Sequence, residues 1–513
     1  APSDVPIERA AGMGCGVSGN HDRAVSPEQA QEIAHRLQKQ SEQILELERA
    51  QAQLVKQVSV LQRTAHHNNG WLRVASVGGS PRSSVTGSMP LMALGDREPQ
   101  QPQEKPQQEK GSLPILPAFK NYLWGKPWDS SLVARLCEQM QDFELSRGLN
   151  YAEMWMGTHP SGPSRVRLEG LDGVGHTKAG LKETIARRPQ FWLGRDMQRG
   201  DLPFMLKVLS IEHSTPIQVH PDRQRAMSLH RSNPDTYQDD TARHELCLPL
   251  GEYEGLVGFR PEEEIRSNLA NVRELQLLLG DSAKGSLKDV FGALMRSDPE
   301  DVRHQVASMV RRIGLLTPEE QSPEDKLALR LQASFAGDVG IFCVYFLNYV
   351  HIAADMRRRY IFCPALEPHC HISGDCIACV SLSDNAVHAA LTPQIKDTET
   401  FLEMLSYRHG LLNELVGTGE MMSKRVVKYN TPVDDFLVYE VEGGNSGTSH
   451  ADPALDLPRA SVCLCHRGAF SVSLSVNGPV EDIRQGQCFL LRAGSCLSVL
   501  RSERGARLFI ASY

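Results

Sequence analysis

The chain has 513 residues, and at about 150 residues per domain that length points to about three domains rather than one. Hydrophobic residues make up 41 %, enough for a large core, while a net charge of −7 and a pI near 6.2 speak against a nucleic-acid partner, whose binders are normally basic. No apolar run approaches the ~20 residues of a membrane span, the start lacks the features of a secretory signal, and twelve scattered cysteines fit free thiols in a reducing compartment, so a soluble, cytoplasmic protein is expected.

In chain order, the first 111 residues read as a leader. Met13-Gly14-Cys15-Gly16-Val17-Ser18 matches the M-G-x-x-x-S acylation pattern. If translation starts at Met13, Gly14 would carry a myristoyl chain and Cys15 a palmitoyl chain. Two chains anchor stably to a membrane, where one gives marginal binding. The competing reading is an internal glycine in an unstructured leader. Ser26-Pro27-Glu28-Gln29 then supplies an N-cap, a first-turn proline and a capping box. The heptad seam that follows, Ala30, Leu37, Ile44, Gln51 and Val58 with Ile33, Gln40, Leu47, Leu54 and Leu61, is apolar at eight of ten positions. That rhythm predicts a coiled coil over about 26–64 and a homodimer through it. A single amphipathic helix lying on the globular body is the alternative. The stretch EPQQPQEKPQQEK at 98–110 cannot bury enough apolar surface to order itself and reads as a linker.

From Ser112 the composition becomes globular. Short β-like stretches dominate 112–259, among them Phe204–Ile211 and Ile217–His220. A helical block occupies roughly 260–335, where Leu287, Val290, Phe291 and Leu294, and then Val302, Val306, Met309 and Ile313, keep helical spacing. Asp298-Pro299 and Thr317-Pro318 read as helix starts. Strand patterning returns at Gly340–His351, and beyond about 426 the chain reads as almost entirely β. Phe470, Val472 and Leu474 alternate with serines there, and Asn477-Gly478 marks a hairpin.

Chemistry concentrates at Pro216-Ile217-Gln218-Val219-His220-Pro221-Asp222. Side chains two apart on a strand share a face, so Gln218 and His220 point the same way. Arg243-His244-Glu245 and, much later, Glu367-Pro368-His369-Cys370-His371 hold further candidates, and one amide oxygen, two imidazoles and one carboxylate drawn from these stretches would suit a divalent metal with an open position. A polar strand face satisfied by hydrogen bonds is the competing reading. Cys376-Ile377-Ala378-Cys379 has no second CxxC to complete a four-cysteine site and reads as buried thiols.

Several ordered stretches resemble type I mannose-6-phosphate isomerases, from Phe119 to the C-terminus: Asn121–Lys126 (NYLWGK), Tyr151–Ser164 (YAEMWMGTHPSGPS), Leu202–Ser210 (LPFMLKVLS), Ile217–Asp222 (IQVHPD), Glu254–Pro261 (EGLVGFRP), Pro368–Asp375 (PHCHISGD) and Ser383–Pro393 (SDNAVHAALTP). The resemblance implies a mainly β fold of two cupin-like jelly-roll barrels with a helical insertion. Its implied domains are a catalytic part at 112–259 and 340–425, a helical part at 260–339 and a second barrel at 426–513. It implies one zinc ion per chain held by Gln218, His220, Glu245 and His369. The implied reaction interconverts mannose 6-phosphate and fructose 6-phosphate, a sugar phosphate that Lys207, Arg243 and Trp124 would bind and on which His388, Asp384 and Lys207 would act. The sequence also departs from the family: Ala378 replaces a Glu, His388 an Arg, Gln394 a Lys, His371 a Tyr, Pro216 a Ser, and Arg243 a Lys. A metal-retaining sugar-phosphate binder or scaffold without turnover is therefore the alternative expectation.

Overall fold

The computed structural model describes residues 111–140, 143–169, 176–444, 454–475 and 478–513. The acylation motif at Gly14 and Cys15, the coiled coil of 26–64 and the linker of 98–110 lie outside the described residues. Lys207 is the one charged residue in Phe204–Ile211, a strand buried along its whole length. A strand covered on both faces reads as a continuous apolar run rather than an alternation. This one lies inside a ten-stranded sheet, paired antiparallel to Glu153–Met156 on one side and His369–Ser381 on the other. His369–Ser381 pairs in turn with the long strand Glu245–Phe259. The short strands Ile217–Val219 and Val387–Ala390 attach at the His369 end.

A second sheet has nine strands and joins distant parts of the chain: Ser112–Leu116 pairs with Cys488–Leu491 and with Arg165–Glu169. A four-stranded sheet shares its core with the C-terminal strands, where Phe470, Val472, Ile483 and Leu497 pack with Cys463, Phe489, Leu508 and Ile510. Ala469–Ser473 and Val480–Arg484 pair antiparallel as the expected hairpin; Asn477 itself lies outside the described residues. The fold is mainly β with a helical insertion.

Five helices between Glu262 and Ser334 form that insertion. The residues expected at helical spacing are its core: Val290, Phe291, Leu294, Val306, Met309 and Ile313 are all buried in one cluster. Asp298 caps Pro299–Gly314 as expected. Thr317-Pro318 does not start a helix. Glu320 N donates to the Thr317 carbonyl at 3.0 Å, closing a turn, and the next helix begins instead at Ser322-Pro323 with a capping box to Asp325. The apolar stripe resumes only at Leu327, so an earlier start would have left a turn with nothing to bury. The expected strand at Gly340–His351 is also corrected. Val339–Tyr345 is a 3₁₀ segment capped by Asp338, and the strand is Leu347–Ile352. An apolar run buried all round carries no period from which helix and strand can be told apart. The 112–259 stretch likewise holds helices among its strands, including Leu132–Glu138 and Arg223–Ser232.

The insertion matters to the chemistry because of what it packs against. Ile217 and Val219 are buried in the helical cluster along with Val387 and Ala389. With one face of Ile217–Val219 committed to the helices, alternation turns Gln218 the other way, and His220 beyond the strand end keeps the same sense.

Candidate metal centre

His220, Glu245 and His369 are buried, and their ligand atoms lie within 4.8 Å of one another. Gln218 is buried and is the cross-strand neighbour of His369 on one side and of His388 on the other. The His220 and His369 rings meet edge to face with centroids 4.7 Å apart, and His220 Nε2 stands 3.6 Å from Glu245 Oε2. Neither nitrogen of His220 has a hydrogen-bond partner, nor does His369 Nε2. Leaving a buried polar atom bare costs about 1–3 kcal/mol. A bare nitrogen from each of the two rings beside one carboxylate therefore fits a divalent cation. His369 Nδ1 is engaged with the Glu367 carbonyl at 3.0 Å, which turns its Nε2 lone pair toward Glu245 and is the usual support for a ligating imidazole.

The protonation states agree with that role. Burial, then the Arg243 charge, pushes His220 well below its ordinary value, and burial brings His369 down to about 4, so both imidazoles are neutral at pH 7. Burial alone would raise Glu245, but contacts with His220 and His371 and the charge of Arg243 outweigh it and hold the carboxylate well below the usual range. His371 donates to Glu245 Oε1 at 2.9 Å, and its other ring nitrogen meets the Tyr253 hydroxyl at 2.5 Å. This Tyr253–His371–Glu245 chain fixes the ligand carboxylate from behind.

Beside the cluster stand the cations. Arg243 is buried, 3.7 Å from Glu245 Oε2 and 3.7 Å from Asp384 Oδ1. Lys207 is fully buried with its ammonium 3.9 Å from the centre of the Trp155 ring; burial lowers its pKa. Ala378 lies directly across the strand pair from Lys207. The methyl group thus stands where a carboxylate would pair with the lysine, and Glu153 is the acidic group whose charge now acts most on it. His388 is lowered to about 4 by burial and by Arg243, with Gln394 as hydrogen-bond partner, so it is a neutral imidazole at pH 7 and no substitute for a permanent cation.

Trp124, expected to bind substrate, is half-buried. It stacks on Tyr122 at 5.6 Å, and Tyr122 is the residue that feels the charges of Glu153, Asp384 and Arg243. Cys376 and Cys379 are buried free thiols, as expected. Sequence reasoning missed Asp239. It is held by His159 at 3.0 Å, accepts from the Asp384 backbone N–H at 2.7 Å and takes the Ser383 hydroxyl, while Asn385 donates to its carbonyl at 2.6 Å. Asp239 therefore positions the Ser383–Asn385 loop that offers Asp384 to Arg243. The retained SDN triplet was the only signal, and it did not name the partner.

A mainly β protein with an inserted helical block, two buried imidazoles and a carboxylate in one cluster, and a lysine and an arginine beside it defines a metalloenzyme class suited to anionic substrates. Comparison narrows this. Residues 113–262 match the family model "Phosphomannose isomerase type I, catalytic domain", and residues 261–347 match its helical insertion domain. The mannose-6-phosphate isomerase of Homo sapiens is 33% identical over 415 residues, covering 76% of this chain and 96% of its own length. Mannose-6-phosphate isomerase 1 of Arabidopsis thaliana is 30% identical over 412 residues, 77% of this chain and 92% of its own. The solved structure of a zinc-bound mannose 6-phosphate isomerase shares the fold with a TM-score of 0.66 at 20% identity, over 79% of this chain and 99% of that one. The chain belongs to the type I phosphomannose isomerase family.

Proposed function

We propose that this protein is a zinc-dependent aldose–ketose isomerase that interconverts mannose 6-phosphate and fructose 6-phosphate. The observation that carries the reading is the buried cluster His220, Glu245 and His369, with bare imidazole nitrogens and with Arg243 and Lys207 alongside. Gln218, His220, Glu245 and His369 would hold the metal, which when bound supplies a Lewis acid beside the substrate oxygens. Lys207 and Arg243 draw in and hold the anionic sugar phosphate, and Asp384 keeps Arg243 turned to it. His388, neutral at pH 7, can accept the proton that leaves one carbon and return it to the neighbouring carbon as aldose becomes ketose. Lys207, its pKa lowered by burial, is suited to exchange a proton with a substrate hydroxyl. Burial of the cluster keeps bulk water from competing for that proton. No observation favours a non-catalytic sugar-phosphate binder over this reading.

The same proposal extends to the architecture and the leader. The sandwiched sheets support two cupin-like jelly rolls, a catalytic one from 112–259 and 340–425 and a second at 426–513, around a helical domain at 260–339. The heptads support dimerisation through 26–64 in the cytoplasm, and the M-G-x-x-x-S motif supports acylation at Gly14 and Cys15 where translation begins at Met13. The test is a coupled assay of purified full-length protein: fructose 6-phosphate should form from mannose 6-phosphate with zinc and cease with a chelator. Turnover no higher than that of His220→Ala would overturn the isomerase reading.

A further inference from the structure

A cavity of about 500 Å³ lies away from the ligand cluster, where Leu132–Glu138 and the C-terminal strands meet the middle of the strands that carry Glu245 and His369. Its lining includes Lys126, Arg135, Glu252, Asp375, His466 and Arg467. We propose that this cleft is a second anion site that binds a small phosphate-bearing molecule. The guanidinium groups of Arg135 and Arg467 have no ion-pair partner among the described residues, and both arginines are exposed. His466 is 9% exposed, and its Nδ1 is buried without a hydrogen-bond partner. An anionic head between the two guanidinium groups would supply the partner both lack, and the His466 ring beside them would sense its charge. Arg507 adds a third guanidinium near the ring, but Glu440 already occupies it at 2.7 Å.

The carboxylates do not neutralise the arginines. Asp375 is taken by Lys126 at 3.0 Å and by the Ser210 hydroxyl at 2.6 Å, and Glu252 by His351 at 3.1 Å. Those groups and Gln485 suit the hydroxyls of an ester-linked body, while the arginines and His466 suit a dianionic head. The volume lies within the ~300–1,000 Å³ typical of small-molecule sites. The wall is also firm. Gly486, at a φ of +86°, presses its backbone so closely on Leu132–Glu138 that an added Cβ would come within 2.7 Å of the Leu136 carbonyl.

The test uses full-length, zinc-loaded protein carrying ¹³C-labelled histidine rings, with the His466 resonance identified by its loss in His466→Gln. Inorganic phosphate, glucose 6-phosphate and GMP are titrated separately. The expected result is a saturable shift of the His466 resonance with a Kd of about 1 mM or tighter for at least one probe. The double variant Arg135→Ser/Arg467→Ser should weaken it at least about tenfold while leaving the resonances of His220 and His369 in place. An ester that binds tighter than inorganic phosphate identifies a phosphorylated metabolite as the source; equal affinity identifies free phosphate. No saturable shift of His466 with any probe, or an unchanged midpoint in the double variant, overturns the proposal, whatever the isomerase assay gives.

Discussion

The ligand cluster and the rim beside it are built on the same sheet, yet they treat sequence change in opposite ways. Gln218, His220, Glu245 and His369 all carry the residue types that the family resemblance implies, whereas Ala378, His388 and Gln394 along the rim all depart from it. The physical difference is constraint. The cluster is fixed from behind, by the helical core under Ile217 and Val219 and by Tyr253 and His371 under Glu245, although His371 is itself a departure from the family's Tyr. A change there would leave a buried charge or imidazole without its partners, which is among the more costly defects a fold can carry. At the rim, Ala378 and neutral His388 bring no charge of their own that needs a partner, and Glu153 still acts on the buried Lys207. A site can therefore keep its metal ligands while its rate is retuned at the edge.

The largest effect that would break this comparison comes from the cluster itself. Glu245→Gln and His369→Ala should each lose the bound zinc, seen by elemental analysis, and lower turnover by about 10³ or more. Retained activity would mean that the cluster is not the reacting site. Next, Ala378→Glu with His388→Arg should raise kcat by about 10–100-fold without altering zinc content. An unchanged rate in the double variant would show that the rim departures do not limit catalysis. A smaller effect is expected one step removed, at Asp239. Asp239→Asn keeps the shape but weakens its hold on His159 and on the Asp384 backbone. It should lower kcat/KM by about tenfold, the equivalent of roughly one hydrogen bond, with the metal still bound.

The same contrast explains what the sequence could and could not disclose. Gln218 and His220 were legible as a shared face because alternation is local, and the helical core at Leu287–Leu294 and Val302–Ile313 was legible for the same reason. Glu245 and His369 came only through the resemblance, since residues so far apart along the chain are brought together by pairing that no local pattern records. Asp239 and the loop it holds were invisible because their partners lie 144 to 146 positions apart. The pairing of Ser112–Leu116 with Cys488–Leu491, at opposite ends of the described chain, was hidden likewise. Val339–Tyr345 failed for the opposite reason: it is local, but it is buried all round and so carries no period.

A buried imidazole away from the cluster supplies the mildest test. His466 is brought down to about 3 by burial first and then by the charges of Arg507, Arg467 and Arg135. The unfolded chain, with an ordinary value near 6.5, then binds the extra proton between those limits. Its contribution to stability is present in full above about pH 6.5 and is lost as the pH falls toward 3. Urea midpoints of wild type and His466→Phe should therefore differ between pH 7 and pH 5, with the wild type falling further. Parallel losses in the two proteins would show that this ring does not set the acid response.

The strand Ile217–Val219 has a further consequence. One side of it lies in the helical core and the other belongs to the ligand cluster, so any cation that binds only the folded cluster also holds the helices to the sheet. Backbone amides in Leu287–Met295 and Pro299–Gly314 should then exchange with deuterium more slowly in the zinc-loaded protein than after chelation, although neither helix contributes a metal ligand. The insertion would report on the metal from a distance, through the cost of opening rather than through any change of shape.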